Sequence, residues 1–160
     1  MPIDVLQADL NADEHASAVL DLLESYSRDA AGGGKPLSDY TRQNLIRRLL
    51  QREDTLVILA WDGDKPVGLV IAFEGFSTFN CMSLINIHDV VVLAEYRGQG
   101  ITQKMFDAVE TIARSRGCCK LTLEVLSENA AAQSAYRKAG FKAYELDPAM
   151  GQALFWEKKL

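Results

Sequence analysis

The sequence has few of the features that mark a secreted or metal-dependent protein. It contains only three cysteines and two histidines. Cys118 and Cys119 are adjacent and Cys81 is distant from them, so the cysteines do not form a disulfide framework and favour a reducing compartment. Neither His15 nor His88 has a ligand-like spacing to the cysteines. We therefore expect no metal site.

Long apolar runs and an excess of positive charge are also missing. No stretch approaches the roughly 18 apolar residues that a membrane span needs, and the N-terminal MPIDVLQADLNADEH lacks the basic region of a secretory signal. The chain has 17 Lys and Arg against 22 Asp and Glu, whereas nucleic-acid-binding proteins usually present a basic face. We expect a cytoplasmic protein that binds neither membranes nor nucleic acid.

The chain does have the composition of a globular protein. Its 160 residues are 48% hydrophobic and 24% charged, which predicts a single domain over residues 1–160. A short strand is predicted over residues 3–8, followed by a helix capped by Asn11 or Asp13 and a second helix capped by Ser38. Glycines 32–34 between the helices predict a flexible connector, and GGGK is not a phosphate loop because no Ser or Thr follows Lys35.

From residue 55 onward the pattern changes to strands and then to alternating elements. TLVILAW, PVGLVIAF and MSLINIHDVVVL predict an antiparallel meander. A helix ended by Gly117, the strand KLTLEV and a helix ended by Gly140 follow, and FKAYEL and ALFWEKKL predict two closing strands. The predicted fold class is α+β, with a mixed, mostly antiparallel twisted sheet flanked by helices on both faces.

The stretch EYRGQGITQKM, between a strand and a helix, predicts an anion site. Its glycines let the backbone approach a ligand, and the helix start supplies free N–H groups at the positive end of its dipole. A dinucleotide fingerprint would need glycine where Gln103 stands, and although Glu124 suits a ribose contact, the meander does not match a doubly wound sheet. A plain strand-to-helix connection is the alternative.

A third signature fits this turn. A basic or amide residue, two positions, glycine, one position, then glycine or alanine resembles the pyrophosphate loop of the GNAT N-acetyltransferases, and here Arg97, Gly100 and Thr102 stand at those places. The stretch from VVVLAEYRGQGITQKM to SAYRKAGF is similar to that family's cofactor-binding core. HDVVVLAEYRGQGI has a weaker similarity to the diamine and polyamine branch, where an acidic pair precedes the cofactor strand. His88 replaces the first acid and only Asp89 is left, which puts polyamine specificity in doubt.

The resemblance implies a GNAT-like fold and acetyl-CoA as co-substrate. It implies an acyltransferase that moves the acetyl group to a primary amine of a small molecule by direct attack in a ternary complex. Alternatives are an acetyltransferase acting on a protein or peptide amine, or a non-catalytic CoA-binding module. Many family members dimerise through closing strands, so Phe155 and Trp156 make a homodimer one expectation.

Cofactor-binding residues also follow from the resemblance. It implies that backbone groups of one strand pair with the pantetheine arm, that the turn holds the pyrophosphate, and that Asn129 contacts the arm, although a helix cap alone also explains Asn129. The strand residues are Val90, Val91 and Val92, and the turn residues are Arg97, Gly98, Gln99, Gly100, Ile101 and Thr102. We expect the Thr102 hydroxyl to add a hydrogen bond to the phosphate.

The catalytic candidates are residues that could remove a proton from the amine or donate one to the leaving thiolate. Glu124 at a strand end is a candidate base, directly or through water, and His88 is its rival. Tyr136 stands where the family commonly has a tyrosine that donates to the leaving thiolate. A solvated glutamate, a histidine in the cleft wall and a core aromatic residue are the corresponding structural alternatives. Asp89 is expected on the face opposite His88 and is a substrate-side candidate rather than a catalytic one.

The acceptor side of the cleft is expected to lie near the segments able to cap it. Asp89 would pair either with a cationic substrate or with the backbone as a cap. Tyr26, the GGGK connector and Phe79 at the tip of the meander are the other substrate-side candidates. The sequence does not name the acceptor amine.

Overall fold

The computed structural model describes residues 2–160, which form two compact units, the first ending at Leu123 and the second spanning Glu124–Leu160. The first unit is a sheet of order β1-β2-β3-β4-β5 with helices α1 to α3, and the second holds α4. The elements are β1 Ile3–Gln7, α1 Asp13–Arg28, α2 Asp39–Leu50, β2 Thr55–Asp62, β3 Lys65–Ser77, β4 Met82–Val92, α3 Ile101–Ser115, β5 Leu121–Leu123 and α4 Ala130–Lys138.

The sheet is antiparallel except for the β4–β5 pair, which is parallel. This arrangement confirms the predicted α+β class and the meander, because β2, β3 and β4 are joined by turns too short for a helix. None of the helices in residues 2–160 has the length and apolar character to cross a bilayer. The division at Leu123 leaves the single domain a prediction.

Alternation along the strands gives the first unit a buried face on each side. On one side, Val57, Leu59 and Ile71 pack with Val19 and Leu22 of α1 in one apolar cluster. The helix on the other side is α3, whose inner positions are fully buried. Helices on both faces are therefore confirmed.

Gly68 on β3 lies where α3 comes closest to the sheet. A Cβ at this position would lie 3.0 Å from Met105 Sδ and 3.1 Å from the Ala60 Cβ. Both distances are shorter than ordinary van der Waals contact, so the Met105 side chain packs into the space that a side chain at Gly68 would need.

A bulge interrupts β4 next to its free edge. Ile71 pairs with Asp89 and Ala72 with Ile87, so His88 is an extra residue without a β3 partner. On the other side, β5 pairs with β4 only from Ile85 to Ile87. Within the described chain, no strand lies beside residues 88–92 on that side, and β4 has an open edge there.

The start of α1 differs from its prediction. The helix begins at Asp13, but Ala12 occupies the N-cap position and no side chain caps the helix, so the prediction that Asn11 or Asp13 caps it was wrong. The Asn11 backbone and side-chain N–H groups both donate to Asp9 Oδ1, at 3.0 and 3.1 Å, which holds Asn11 in a turn before the helix. The cap of α2 is confirmed, since Ser38 Oγ accepts from the Thr41 N–H at 3.1 Å.

The connector between α1 and α2 is hydrogen-bonded to the end of α1. The N–H groups of Gly32 and Gly34 both donate to the Asp29 carbonyl, at 3.0 and 2.9 Å, and the Lys35 N–H donates to the Ser27 carbonyl at 2.9 Å. These bonds use carbonyl groups that the end of α1 leaves free. The glycines fold the chain back onto the helix end.

In the second unit, α4 ends as predicted and the closing strands do not form. Gly140 has φ 94°, its N–H donates to Arg137 O, and the Phe141 N–H donates to Tyr136 O, which is a Schellman ending. Beyond α4 the described residues contain a short 3₁₀ turn and no strand. One hydrogen bond, from the Ala153 N–H to Tyr144 O, joins the two predicted strand segments. Strand propensity alone does not supply a ladder partner.

Candidate active site

The open edge of β4 presents backbone groups of alternate residues. The Leu93 N–H donates to Val67 O on β3 at 3.0 Å. Since successive strand residues direct their backbone groups to opposite sides, Val91 shares the β3 side, whereas Val90 and Val92 face the open edge. Val91 is also buried, at 4% exposure, in the cluster with α1. Val91 therefore packs in the core, whereas Val90 and Val92 have backbone groups available to a ligand at the open edge.

The turn after β4 is anchored to the β2–β3 hairpin. Tyr96 Oη donates to Asp62 Oδ2 at 2.9 Å, and Lys65 Nζ lies 3.0 Å from Glu95 Oε1. Lys65 also lies over the Tyr96 ring, 5.0 Å from its centroid. These contacts hold the turn in a fixed position at the end of the open edge.

Beyond the anchor, the turn exposes a row of free backbone donors. Gly98 and Gly100 have φ of 75° and 76°, in the left-handed region that favours glycine. Gly100 is the N-cap of α3, no side chain caps this helix, and its first turn has no acidic residue. The N–H groups of residues 98–103 donate to no group in the described chain. Such a row at a helix start is an anion site.

Arg97 lies at the junction of the open edge and this row of donors. Its Nε donates to Val92 O at 3.1 Å, and its Nη2 donates to Asp29 Oδ2 at 2.7 Å. Asp29 caps the C-terminal end of α1. Asp29 was not predicted from the sequence, although an acid at a helix C-terminus, where the dipole disfavours it, indicates that a cation lies nearby.

His88 and Asp89 lie on one face of the sheet, and the predicted opposite faces were wrong. The His88 ring meets the Phe73 ring edge-on at 5.6 Å, and Phe73 packs on the α1 side. Asp89 is paired with Ile71, which belongs to the same cluster. The bulge cancels the alternation between the two side chains.

Two ionisable groups in this region have shifted pKa values. Burial raises the pKa of Asp89, and the nearby His88 opposes that shift. Burial also raises the pKa of Tyr26, and the charges of Asp89 and Asp29 add to it. Tyr26 therefore lies close to both acids. Phe79 is 90% exposed in the loop between β3 and β4, so it does not pack against this group.

The candidates of the second unit lie on or before α4. Asn129 Oδ1 accepts from the Ala132 N–H at 3.1 Å, so Asn129 does cap the helix. Tyr136 is half-buried, and its ring centroid lies 6.3 Å from that of Phe141. Glu124 is exposed at the start of the unit. The structural alternative for Asn129, a helix cap, is thus observed.

These features agree with a match to a known family. Residues 17–141 of the 160-residue chain match the model of the acetyltransferase (GNAT) family. The chain belongs to this family, and it is an acyl-transferring enzyme. The match includes the open edge of β4, the glycine turn and α4.

Curated relatives carry several acetyltransferase names. The chain is 29% identical over 111 residues to N-alpha-acetyltransferase 30 of Schizosaccharomyces pombe, with 69% of this chain and 73% of the relative covered. It is 36% identical over 93 residues to thialysine N-epsilon-acetyltransferase of Bos taurus, covering 58% and 53%. It is 33% identical over 98 residues to streptothricin acetyltransferase of Streptomyces lavendulae, covering 61% and 49%. The chain thus spans about half the length of the last two.

Solved structures share the fold. An aminoglycoside acetyltransferase from an uncultured soil metagenomic sample superposes with a TM-score of 0.80 at 18% identity, covering 99% of this chain and 96% of that one. A possible acetyltransferase from Clostridium difficile 630 has a TM-score of 0.74 at 21% identity, covering 99% and 97%. At these identities the likeness shows the fold alone.

Proposed function

We propose that this protein moves an acetyl group from acetyl-CoA to a primary amine of a small molecule, by direct attack in a ternary complex. The observation that carries the proposal is the open edge of β4, which runs directly into the free N–H groups of residues 98–103. A strand edge suits the amide groups of a pantetheine arm. A helix start without a cap suits a pyrophosphate.

The residues present fit acetyl-CoA, with β4 beside the pantetheine arm and the turn after β4 beside the pyrophosphate. Val90 offers both its backbone groups on the open edge, and Val92 offers its N–H, because Arg97 already occupies the Val92 carbonyl. Val91 contributes through packing. The N–H groups of Gly98, Gln99, Gly100, Ile101 and Thr102 would hold the pyrophosphate, and Asn129 would contact the arm.

Acetyl-CoA supplies the acetyl group as an activated thioester, and the chain's own side chains manage the protons. An amine with a pKa of about 10.4 loses its proton at pH 7 at a cost of roughly 4 to 5 kcal/mol. Glu124, directly or through water, or His88 would accept this proton. The bulge at His88 re-aims the neighbouring backbone, so the Val90 N–H is the candidate donor to the thioester carbonyl.

Tyr136 would assist the departing thiolate. A phenol near pKa 10 that gives its proton to a thiolate near 8.5 moves uphill by about 2 kcal/mol, which favours hydrogen-bond assistance over full transfer. The Phe141 ring packs beside the Tyr136 ring, with the two centroids 6.3 Å apart. This contact serves a structural role and a positioning role equally well.

A small cationic amine is the acceptor that the first unit favours. Asp89, Asp29 and Tyr26 gather near the end of α1, where they would attract a positive charge. Two curated relatives are named for small amine compounds, thialysine and streptothricin. The proposed setting is cytoplasmic, without membrane or nucleic-acid partners, and a homodimer through the second unit belongs to the same proposal.

A protein or peptide amine is the second candidate acceptor. The relative named N-alpha-acetyltransferase 30 aligns with 69% of this chain, more than either small-molecule relative. A CoA-binding module without catalysis is the third candidate. It shares the open edge and the turn but needs neither Glu124 nor Tyr136.

The test is a thiol-release screen with acetyl-CoA over polyamines, thialysine, streptothricin, aminoglycosides, amino acids and peptide N-termini. We expect acceptor-dependent thiol release with one small-molecule class and confirmation of the acetylated product by mass spectrometry. Release with peptides only would replace the small-molecule proposal with the peptide one. Calorimetric binding of CoA without release by any amine would leave the non-catalytic module.

A further inference from the structure

The Arg97 guanidinium already has hydrogen-bond partners within the chain, at the place where we expect an anion to bind. It donates to Asp29 Oδ2 at 2.7 Å, and its Nε donates to Val92 O at 3.1 Å. Both side chains of the ion pair are about half exposed, at 56% for Arg97 and 47% for Asp29. Exposed ion pairs of this kind contribute little to stability. A ligand can therefore reach and replace the pair.

A diphosphate at the turn is a stronger partner for Arg97 than Asp29. It carries more charge than one carboxylate, and it also meets the free N–H groups of residues 98–103. The Asp29 carboxylate by contrast lies at the C-terminal end of α1, where the helix dipole disfavours a negative charge.

The backbone around Asp29 is held independently of its side chain. The Asp29 N–H donates to Tyr26 O at 3.0 Å, and its carbonyl accepts from Gly32 and Gly34. Rotation of the side chain alone therefore releases Arg97, and the connector does not need to unfold.

We propose that Asp29 is a positioning residue that competes with the cofactor: it holds Arg97 through an ion pair, and the diphosphate displaces it from the guanidinium. This inference rests on the proposed function for its natural ligand. Asp29 then lowers the affinity for the cofactor and keeps Arg97 at the junction until the cofactor binds. Removal of the carboxylate should tighten binding, whereas a residue that merely orients Arg97 would weaken binding when removed.

The first measurement is calorimetric titration of CoA into the wild type, Asp29→Asn and the control Asp21→Asn. Asp21 is an exposed acid on the same helix, so its variant makes the same charge change away from the turn. We expect Asp29→Asn to bind CoA about two- to fivefold more tightly, in the range of exposed ion pairs, and Asp21→Asn to match the wild type. Unchanged or weaker binding by Asp29→Asn overturns the inference.

The second measurement separates competition for Arg97 from a general charge effect. In an Arg97→Gln background, Asp29→Asn should no longer change the affinity, because the group for which Asp29 competes is gone. If Asp29→Asn increases the affinity for CoA by the same factor in that background, Asp29 acts only through its charge. This result would overturn the proposed competition for Arg97. Asp29→Ser removes the same carboxylate and serves if the Asn variant folds poorly.

The third measurement uses inorganic pyrophosphate alone and does not depend on acetyl transfer. In ¹⁵N spectra, the Arg97 Nε–H signal of the wild type should shift on titration with pyrophosphate, and in Asp29→Asn it should shift at lower pyrophosphate concentration. If the Arg97 Nε–H signal does not shift when pyrophosphate is added, the inference is overturned. If all three results hold but no amine releases thiol, the proposed function fails and the exchange stands.

Discussion

The side chains of His88 and Asp89, neighbours in the sequence, lie on the same face of the sheet because β4 bulges at His88. Their closeness couples the two groups, since His88 opposes the rise that burial causes in the pKa of Asp89. The α1 side of the sheet thereby gains a histidine and a carboxylate where regular alternation would place only one. The following predictions test this arrangement and the neighbouring turn.

Asp89→Asn should stabilise the protein at neutral pH. The folded state raises the pKa of Asp89, chiefly by burial, so ionisation of this carboxyl destabilises the fold as pH rises through the folded pKa. The gain in the free energy of unfolding should vanish below the ordinary pKa of an aspartate, where both states are protonated. Urea unfolding of the variant and the wild type at pH 7 and near pH 3 measures it, and an equal gain at both pH values would contradict this cause.

Glu24→Gln should destabilise the protein at neutral pH, which is opposite to the effect of Asp89→Asn. Burial raises the pKa of Glu24, but hydrogen bonds from the Leu37 N–H, Arg28 and Arg42 outweigh it and lower the pKa overall. The ionised carboxylate therefore stabilises the fold above its ordinary pKa, and the effect is lost as pH falls through the folded pKa. The same unfolding series should show a destabilised variant at pH 7 that approaches the wild type in acid. A loss of stability that persists in acid would show that the variant is destabilised by altered packing and not by loss of the carboxylate charge.

Gly100→Ala should weaken CoA binding and also destabilise the fold. A non-glycine residue in this left-handed conformation costs roughly 1 to 2 kcal/mol. Gly117, with φ 72° at the other end of α3, is the matched control. Both alanine variants should lose similar thermal stability, but only Gly100→Ala should lose CoA affinity by calorimetry. Equal affinities in the two variants would remove the turn from the cofactor site.

Thr102→Ala should weaken CoA binding by about 1 kcal/mol, the usual contribution of one hydrogen bond. Thr102 is half-buried in the first turn of α3. Thr111→Ala on the same helix is the control, because the Thr111 hydroxyl donates to Asp107 O far from the turn. Tighter binding by Thr102→Ala would show that the side chain crowds the phosphate.

Tyr136→Phe should cut turnover with acetyl-CoA at least tenfold, the lower range of proton-transfer assistance, while the melting temperature stays near that of the wild type. The substitution keeps the ring and its contact with Phe141. Tyr144→Phe, in the same unit, makes the same chemical change outside the candidate site. Unchanged turnover in Tyr136→Phe would leave Tyr136 a structural residue.

Glu124→Gln should lower the rate most at low pH, where the amine is protonated and needs a base. Glu128→Gln is its control, since both glutamates are exposed in the same segment. Rate profiles from pH 6 to 9 for these variants and for His88→Gln measure the effect. A flat profile for Glu124→Gln with a loss for His88→Gln would transfer the role to His88.

Local signals account for the elements that the sequence predicted correctly. Gly117 and Gly140 end their helices with the expected left-handed turns, because glycine adopts this conformation without strain. Ser38 caps α2 through its own side chain. The Arg97–Gly100–Thr102 pattern indicated the family from a few residues whose spacing is fixed by the turn.

Long-range relationships were not predictable. Asp29 and Arg97 are 68 residues apart, and no local pattern joins them. The bulge at His88 lies in the uninterrupted strand pattern INIHDVVV, which contains no glycine or proline to mark an extra residue. The closing strands failed for a related reason, since the propensity of ALFWEKKL does not specify the strand with which it must pair.

Gly68 connects the interior of the sheet to α3, the helix that begins at the glycine turn. Met105 lies one turn into α3 from Gly100, and the empty space at Gly68 lets it settle against the sheet. A side chain at Gly68 would have to displace the end of the Met105 side chain, and any part of that shift passed on to α3 would move the free N–H groups at its start. Under the proposed function, the affinity for acetyl-CoA would thus depend on a buried position that lies outside the proposed cofactor contacts.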